Sequence, residues 1–154
     1  MRNDAFIQGD VKTNETPANT PVILELSPRE EEFDRIRNVI LESPLPRPLT
    51  RSLCVAAEEI FLNICSYAFS DPGLPGPGKV RFTFLLSDRI RMVFEDNGTA
   101  YDPTKGVPDD PDYDPDLQLG GLGKIIAFTI ADSVFYEYKD HQNILTITKK
   151  LEGE

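Results

Sequence analysis

The sequence predicts an α+β fold, a two-layer α/β sandwich in which helices cover one face of a mostly antiparallel or mixed sheet. Several segments alternate apolar and polar residues as strands do, and others repeat apolar residues at the spacing of a helix. Their order is strand, helix, helix, hairpin, loop, helix, hairpin. A chain of 154 residues is long enough to bury one core, so we expect one domain.

The domain is expected to begin after a short N-terminal extension. Residues 1–20 mix Asn, Thr, Asp, Gly and Pro with little periodicity, which is typical of a tail or an edge extension. We therefore assign residues 21–154 to the folded domain.

The first predicted elements are a strand over residues 22–26 and a helix that follows it directly. Ser27 is expected to be the N-cap and Pro28 to occupy the first turn, with acidic residues after them. The apolar face of this helix comprises Phe33, Ile36, Val39 and Ile40.

A long helix is predicted over residues 49–69, after a break made by Pro44, Pro46 and Pro48. Its buried stripe is predicted to run through Ala56, Ile60, Asn63 and Tyr67.

The second half of the chain is predicted to hold two hairpins separated by a long loop and a helix. The loop, residues 97–119, is rich in Gly, Pro and Asp, and loops of this length are usually functional or disordered. The helix is expected over residues 124–131. The predicted strands are 80–86, 90–95, 134–138 and 144–150, the last two joined by a turn over residues 139–143.

The charge and the hydropathy pattern exclude two classes of partner. A net charge of −10 and a pI near 4.6, without a basic stripe, disfavour nucleic acid. No apolar stretch approaches the roughly 20 residues that span a bilayer, and there is no leader pattern, so we expect a cytoplasmic protein without a membrane partner. Cys54 and Cys65 are too far apart in one helix for a disulfide and are expected to be small buried apolar residues.

Glu59 and Asn63 are the first candidates for chemistry. They are four residues apart and therefore lie on one face of the long helix. Their oxygens suit Mg²⁺, and a carboxylate can also act as a general base. The alternative is that Glu59 lies at the helix edge and Asn63 caps a loop.

Two further segments have the chemistry of a nucleotide site. Asp96 ends a strand and can accept a hydrogen bond from an exocyclic amine, while Gly98 lets a flat ring approach the backbone; an ordinary Asn-Gly turn is equally compatible. Residues 120–124, Gly-Gly-Leu-Gly-Lys, open a helix whose N–H groups can bind phosphate, or they form a plain linker. The spacing is not that of a P-loop.

The order and spacing of these three features resemble the histidine-kinase-type ATPase fold, also called the Bergerat or GHKL fold. Within that superfamily, residues 56–69 (AAEEIFLNICSYAF) resemble the N box of the anti-sigma-factor serine/threonine kinases. Residues 96–100 (DNGTA) resemble their first glycine box and residues 120–123 (GGLG) their second. The resemblance extends over residues 22–151.

This resemblance implies a role for each candidate residue. Glu59 would be the general base, Asn63 a Mg²⁺ ligand, Asp96 the residue that recognises the adenine amine, and Gly98 part of the adenine pocket. Residues 99–119 would form a lid over the nucleotide. The phosphates would be held by Gly121, Leu122, Gly123 and Lys124.

The implied function is an ATP- and Mg²⁺-dependent kinase that phosphorylates Ser or Thr of a small antagonist protein and sequesters a sigma factor. The family's kinases often have an Arg before the second glycine box, where this chain has Leu117-Gln118-Leu119. The alternative is therefore a nucleotide-gated binding module that senses ATP or ADP and docks on a phosphatase, a sigma factor or a receptor without efficient phosphoryl transfer. The sequence also leaves room for a homodimer.

Overall fold

The computed structural model describes residues 20–105 and 129–151. These residues form a five-stranded antiparallel sheet and two α-helices, which confirms the predicted α+β class. The strand order is β1-β2-β3-β5-β4. The strands are β1 (Val22–Leu26), β2 (Val80–Leu86), β3 (Arg89–Asp96), β4 (Ser133–Lys139) and β5 (Gln142–Lys150).

The first helix, α1 (Phe33–Leu41), follows a 3-10 turn over Glu30–Glu32. The prediction that Ser27 is the N-cap was wrong. The backbone N–H of Arg29 donates to the Ser27 carbonyl at 2.8 Å, so the chain makes a tight turn before the helical residues start. Phe33, Ile36 and Ile40 are buried, as the helical pattern predicts.

The second helix, α2 (Arg47–Asn63), begins two residues earlier than predicted, because Pro48 is tolerated in a first turn. A π-helical turn over Ile64–Ala68 continues it. This wider turn changes the angular spacing of the residues within it, including Tyr67. Ala56 and Ile60 are buried, but Tyr67 is 71% exposed, so its assignment to the core stripe was wrong.

The core lies between the helices and one face of the sheet. Phe82 of β2 and Phe94 of β3 pack with their ring centroids 5.1 Å apart, and Phe61 of α2 packs against Phe33 of α1. The strand residues in this cluster are alternate ones, such as Ile90, Met92 and Phe94 of β3, because side chains alternate between the faces of a sheet. Cys54 and Cys65 are free thiols that pack at its edge, half-buried, and burial raises the pKa of Cys65 to about 11.

The closing hairpin is tighter than predicted. Its turn consists of Asp140 and His141, both with positive φ, as in the two-residue turns that match the twist of paired strands. His141 is exposed, as expected for a surface residue. The assignment of Asn143 to the turn was wrong, because β5 already includes it.

The predicted helix over residues 124–131 falls mostly outside the described residues. Of its described residues, 129 and 130 are helical and Ala131 is not, because the chain then turns into β4. In the part of the chain that the structure describes, no helix combines the length and apolarity needed to cross a bilayer.

Candidate functional site

Asp96 is a buried carboxylate at the end of β3. It is 5% exposed and pairs with Val80 of β2 on one side and Asn143 of β5 on the other. Its Oδ1 accepts hydrogen bonds from the Gly98 N–H and from Asn143 Nδ2, both at 2.9 Å. Both contacts fall on Oδ1, so Oδ2 accepts no hydrogen bond from the described residues.

Burial and hydrogen bonding act on this carboxyl in opposite directions. Desolvation raises the pKa of Asp96, while the donors on Asn143 and Gly98 lower it and offset part of the effect. The net direction is upward from the ordinary value. A carboxylate that is only partly compensated by its neighbours gains stabilisation from one more donor.

Asn97 follows the last residue of β3, and its side chain binds the backbone just before β2. Its Oδ1 accepts from the Lys79 N–H at 2.8 Å, and its Nδ2 donates to the Pro77 carbonyl at 3.1 Å. The chain then departs along a loop in place of returning as a paired strand. Residues 96–98 therefore do not form the two-residue turn of a hairpin.

Gly98 lies against the end of the π-helical turn. A Cβ built on Gly98 would come 2.4 Å from the Ala68 carbonyl oxygen and 2.6 Å from the Ala68 Cβ. The next residue, Thr99, donates its N–H to the same carbonyl at 2.9 Å. Glycine is therefore required here by a close approach of two backbone segments.

Glu59 and Asn63 are half-buried and in direct contact. Asn63 Nδ2 donates to Glu59 Oε2 at 3.0 Å, as expected for residues four apart on one helical face. Asn63 is the last residue of α2, and its amide contacts Glu59 and makes no side-chain cap bond at the π-helical turn. Within residues 20–105 and 129–151, the Asn63 side chain therefore caps no loop.

Ala68 connects the Glu59–Asn63 pair to the segment that contains Asp96 and Gly98. The helix that carries Glu59 and Asn63 continues to Ala68, and Ala68 contacts Gly98 and Thr99, directly after Asp96. The structure thus brings the first two sequence-predicted features to one end of the sheet. The third feature, with Gly121, Leu122, Gly123 and Lys124, lies outside the described residues, as does most of the predicted lid.

Asn143 and Tyr136 complete the site and were missed by sequence reasoning. Asn143 is 6% exposed, and its Oδ1 accepts from the Tyr136 hydroxyl at 2.5 Å. One signal could have found it. Asn143 alternates with the buried Leu145 and Ile147, so an amide occupies a core-facing strand position, where polar groups need partners.

A comparison with protein families identifies the family of the chain. Residues 27–149 match the family described as the histidine kinase-like ATPase domain. The chain belongs to that family. Membership of this ATPase domain family implies ATP binding. The matched range includes Glu59, Asn63, Asp96 and Gly98.

A curated relative is the serine/threonine-protein kinase BtrW of Bordetella bronchiseptica. It is 30% identical over 116 residues, which cover 73% of this chain and 79% of the relative. This histidine kinase-like ATPase domain is thus similar over most of its length to a protein kinase.

Replacing Gly98 tests its contact with Ala68, which connects the helix that carries Glu59 and Asn63 to the strand end that carries Asp96. Gly98→Ala should lower the free energy of unfolding by about 1–3 kcal/mol, because the new Cβ overlaps the Ala68 backbone. Gly73→Ala is the control, since its Cβ would meet only the flexible Asp71 side chain, and its effect should stay within about 0.5 kcal/mol. Urea denaturation followed by circular dichroism measures both. Equal stabilities of the two variants would contradict the close contact.

Proposed function

We propose that this protein is an anti-sigma-factor-type regulatory protein, a serine/threonine kinase that uses ATP and Mg²⁺ to phosphorylate a small antagonist protein in the cytoplasm. The observation that carries the proposal is the contact between Glu59 and Asn63 on a helix whose end packs against the Asp96–Gly98 turn. In this proposal residues 21–154 form the ATP-binding domain, and residues 1–20 are an extension.

Asp96 would recognise the adenine base. Its Oδ1 is occupied by two N–H donors, while Oδ2 has no donor among residues 20–105 and 129–151. The exocyclic amine of adenine is a donor that matches Oδ2. Gly98 would line the adenine pocket with its backbone, since its missing side chain already serves the contact with Ala68.

Asn63 would bind Mg²⁺ through its amide oxygen. Its Nδ2 is directed to Glu59, which leaves the Oδ1 as a hard oxygen ligand. Mg²⁺ usually takes one or two protein oxygens and fills its remaining positions with water and phosphate oxygens. The described residues contain no cluster of three or more His, Cys, Asp or Glu side chains for a metal, so this single-ligand mode suits the chain.

Glu59 would be the general base. Asn63 Nδ2 holds its Oε2, so the carboxylate is oriented at the end of α2. From this position Glu59 would orient the hydroxyl of a partner Ser or Thr and accept its proton as the phosphoryl group transfers. The backbone of Gly121, Leu122 and Gly123, with Lys124, would hold the phosphates, as helix N-termini commonly do.

A second candidate function is a nucleotide-gated binding module that docks on a phosphatase, a sigma factor or a receptor. Leu117-Gln118-Leu119 stands where kinases of the family often have an Arg, and this favours binding without efficient transfer. Labelled ATP and candidate partner proteins separate the two functions. Phosphoserine or phosphothreonine on the partner supports a kinase, and tight binding without label supports the module.

Substitutions on α2 test the assigned roles. Glu59→Gln should leave ATP affinity nearly unchanged and reduce transfer by about 100-fold or more, because it removes a positioned base. Asn63→Ala should lower ATP affinity in the presence of Mg²⁺ and have little effect without it. Glu58→Gln is the matched control, an exposed neighbour with the same chemical change. Calorimetry and a transfer assay measure both quantities.

The outcomes separate the two functions. If the protein is a kinase, Glu59→Gln retains ATP affinity but loses phosphoryl transfer. If it is a binding module, the wild type itself transfers no phosphoryl group. If Glu59→Gln and Asn63→Ala both bind and transfer as the wild type does, the assignment of this helical face is wrong.

We propose further that the open face of the sheet forms a homodimer. The face opposite the helices has a row of aligned Thr and apolar residues that crosses every strand of the described sheet. The members of this row on the two edge strands, Ile23 and Phe135, are 53% and 56% exposed. The row consists of Ile23, Thr83, Val93, Thr146 and Phe135.

The charges on this face differ between its two ends. Basic residues predominate beside the β2–β3 turn, although Asp88 lies 3.5 Å from Arg89 there. Carboxylates predominate at the opposite end, although Arg81 pairs with Glu25 at 2.8 Å and Lys139 lies near Glu137. In a dimer related by a two-fold axis, the strands of the second copy would run in the opposite direction across this face. The basic end of each copy would then face the acidic end of the other, and the two central rows would be in contact. The basic residues are Arg89, Arg91 and Lys150, and the acidic ones Glu25, Glu95 and Glu137.

A charge placed in the central row should separate the dimer. Phe135→Glu buries a carboxylate in the contact and should shift sedimentation from dimer to monomer at micromolar concentration. Val55→Glu makes a similar change on the exposed side of α2 and should leave the dimer intact. A monomeric wild-type protein, or the same dissociation in both variants, would refute this interface.

A further inference from the structure

We infer that Asn143 is a positioning residue that holds the Asp96 carboxylate and the loop after β3 in one arrangement, and thereby sets the preference for an amino purine over an oxo purine. This inference rests on the proposed nucleotide site at Asp96. It assigns a function to a residue outside the segments that resemble the N box and the glycine boxes.

Asn143 uses its full hydrogen-bonding capacity. Its Nδ2 donates to Asp96 Oδ1 and to the Thr99 carbonyl, each at 2.9 Å. Its Oδ1 accepts from the Tyr101 N–H at 3.0 Å and from the Tyr136 hydroxyl at 2.5 Å. An amide offers two donors and two acceptor sites, so this nearly inaccessible side chain is satisfied and fixed.

The partners also determine which way the amide faces. A rotation that exchanged the two ends would place Nδ2 against the Tyr101 N–H, which can only donate, and Oδ1 against the Asp96 carboxylate and the Thr99 carbonyl. That orientation would lose the amide contacts to Tyr101, Asp96 and Thr99. The observed orientation therefore presents a donor to Asp96.

The donor fixes which carboxylate oxygen remains for a ligand. Asn143 and the Gly98 N–H both occupy Oδ1, so the acceptor left at this position is Oδ2. An amino purine donates to it, whereas an oxo purine presents a carbonyl oxygen and would leave both groups unpaired. Sites built for one hydrogen-bonding pattern reject the opposite pattern strongly, because the mismatched groups stay desolvated.

The same side chain holds the start of the loop. Thr99 and Tyr101 are bound to opposite ends of one amide, and Thr99 is also bound to Ala68. The register pairs Asn143 with Asp96, so the sheet itself places the amide beside the carboxylate. Asn143 thus connects the purine-recognising group to the first residues of the predicted lid.

Asn143→Asp tests this role while nearly preserving shape. The change retains the acceptor for Tyr101 and Tyr136 but removes the donor to Asp96 and places a second carboxylate beside it. At pH 7.5 ATP affinity should fall about 10- to 100-fold, and the ratio of ATP to GTP affinity should fall with it. Asn38→Asp is the control for the same chemical change, because Asn38 is exposed on α1, and both values should stay within about twofold.

The pH profile separates positioning from general damage. Wild-type affinity should decline as pH falls through the Asp96 pKa, since protonation removes the acceptor. In the variant, the first proton taken up by the carboxyl pair lets the new carboxyl donate to Asp96 Oδ1, so affinity should first recover as pH falls. Tyr136, which donates to Asn143, has Asp102 and Tyr138 as its other titratable neighbours. These residues are unchanged in Asn143→Asp and in the control variant.

A nucleotide-free measurement distinguishes this inference from the proposed function. Carbon-13 NMR of the Asp96 carboxyl should show titration at higher pH in Asn143→Asp than in the wild type, and no such shift in Asn38→Asp. If the wild type does not bind ATP, the proposed function fails, and this titration still decides whether Asn143 sets the state of Asp96.

The inference is overturned if Asn143→Asp matches Asn38→Asp in affinity ratio, pH profile and Asp96 titration. Should Asn143→Asp fail to fold, Tyr136→Phe takes its place, because it removes only the hydroxyl that donates to Asn143 Oδ1. It should lower the ATP to GTP ratio about two- to tenfold. An unchanged ratio in that variant would equally refute the role of Asn143.

Discussion

The site depends on the approach of two backbone segments, the end of the π-helical turn at Ala68 and the residues after β3. The Ala68 carbonyl accepts the Thr99 N–H at 2.9 Å, and only a glycine at position 98 allows that distance. Through this contact the helix that carries Glu59 and Asn63 is held against the strand end that carries Asp96. The position of the Glu59–Asn63 pair relative to Asp96 and Gly98 thus depends on three features. They are the hydrogen bond from Thr99 to Ala68, the absence of a side chain at Gly98 and the π-helical turn.

Burial of Asp96 is the second constraint. Desolvation raises the pKa of a buried carboxyl, and here Asn143 and Gly98 counter that effect with two donors on one oxygen. A folded protein tolerates such a group when its hydrogen-bonding needs are largely met. Stability and recognition are thus linked, because the donors that make burial tolerable also leave the second oxygen for a ligand.

Much of this arrangement could be predicted from the sequence. Alternating residues predicted the strands, and the spacing of four predicted that Glu59 and Asn63 share one helical face, where they are in contact. Asn143 was missed because a turn of five residues was expected where two suffice, and residues with positive φ other than Gly give weak sequence signals. Tyr67 was misplaced because a π-helical turn is not visible in an α-helical pattern. Long-range contacts such as Ala68 with Gly98 depend on tertiary packing, which local patterns do not encode.

The most direct test of ATP recognition at Asp96 is calorimetric titration of Asp96→Asn with ATP and Mg²⁺, beside the wild type. The new amide oxygen can accept from Gly98 and Asn143 as Oδ1 does, so the melting temperature should stay close to that of the wild type. The remaining atom becomes a donor that opposes the adenine amine, and affinity should fall about tenfold or more. Wild-type binding that Asp96→Asn leaves unchanged would contradict the site, as would a wild-type protein that gives no heat with millimolar ATP.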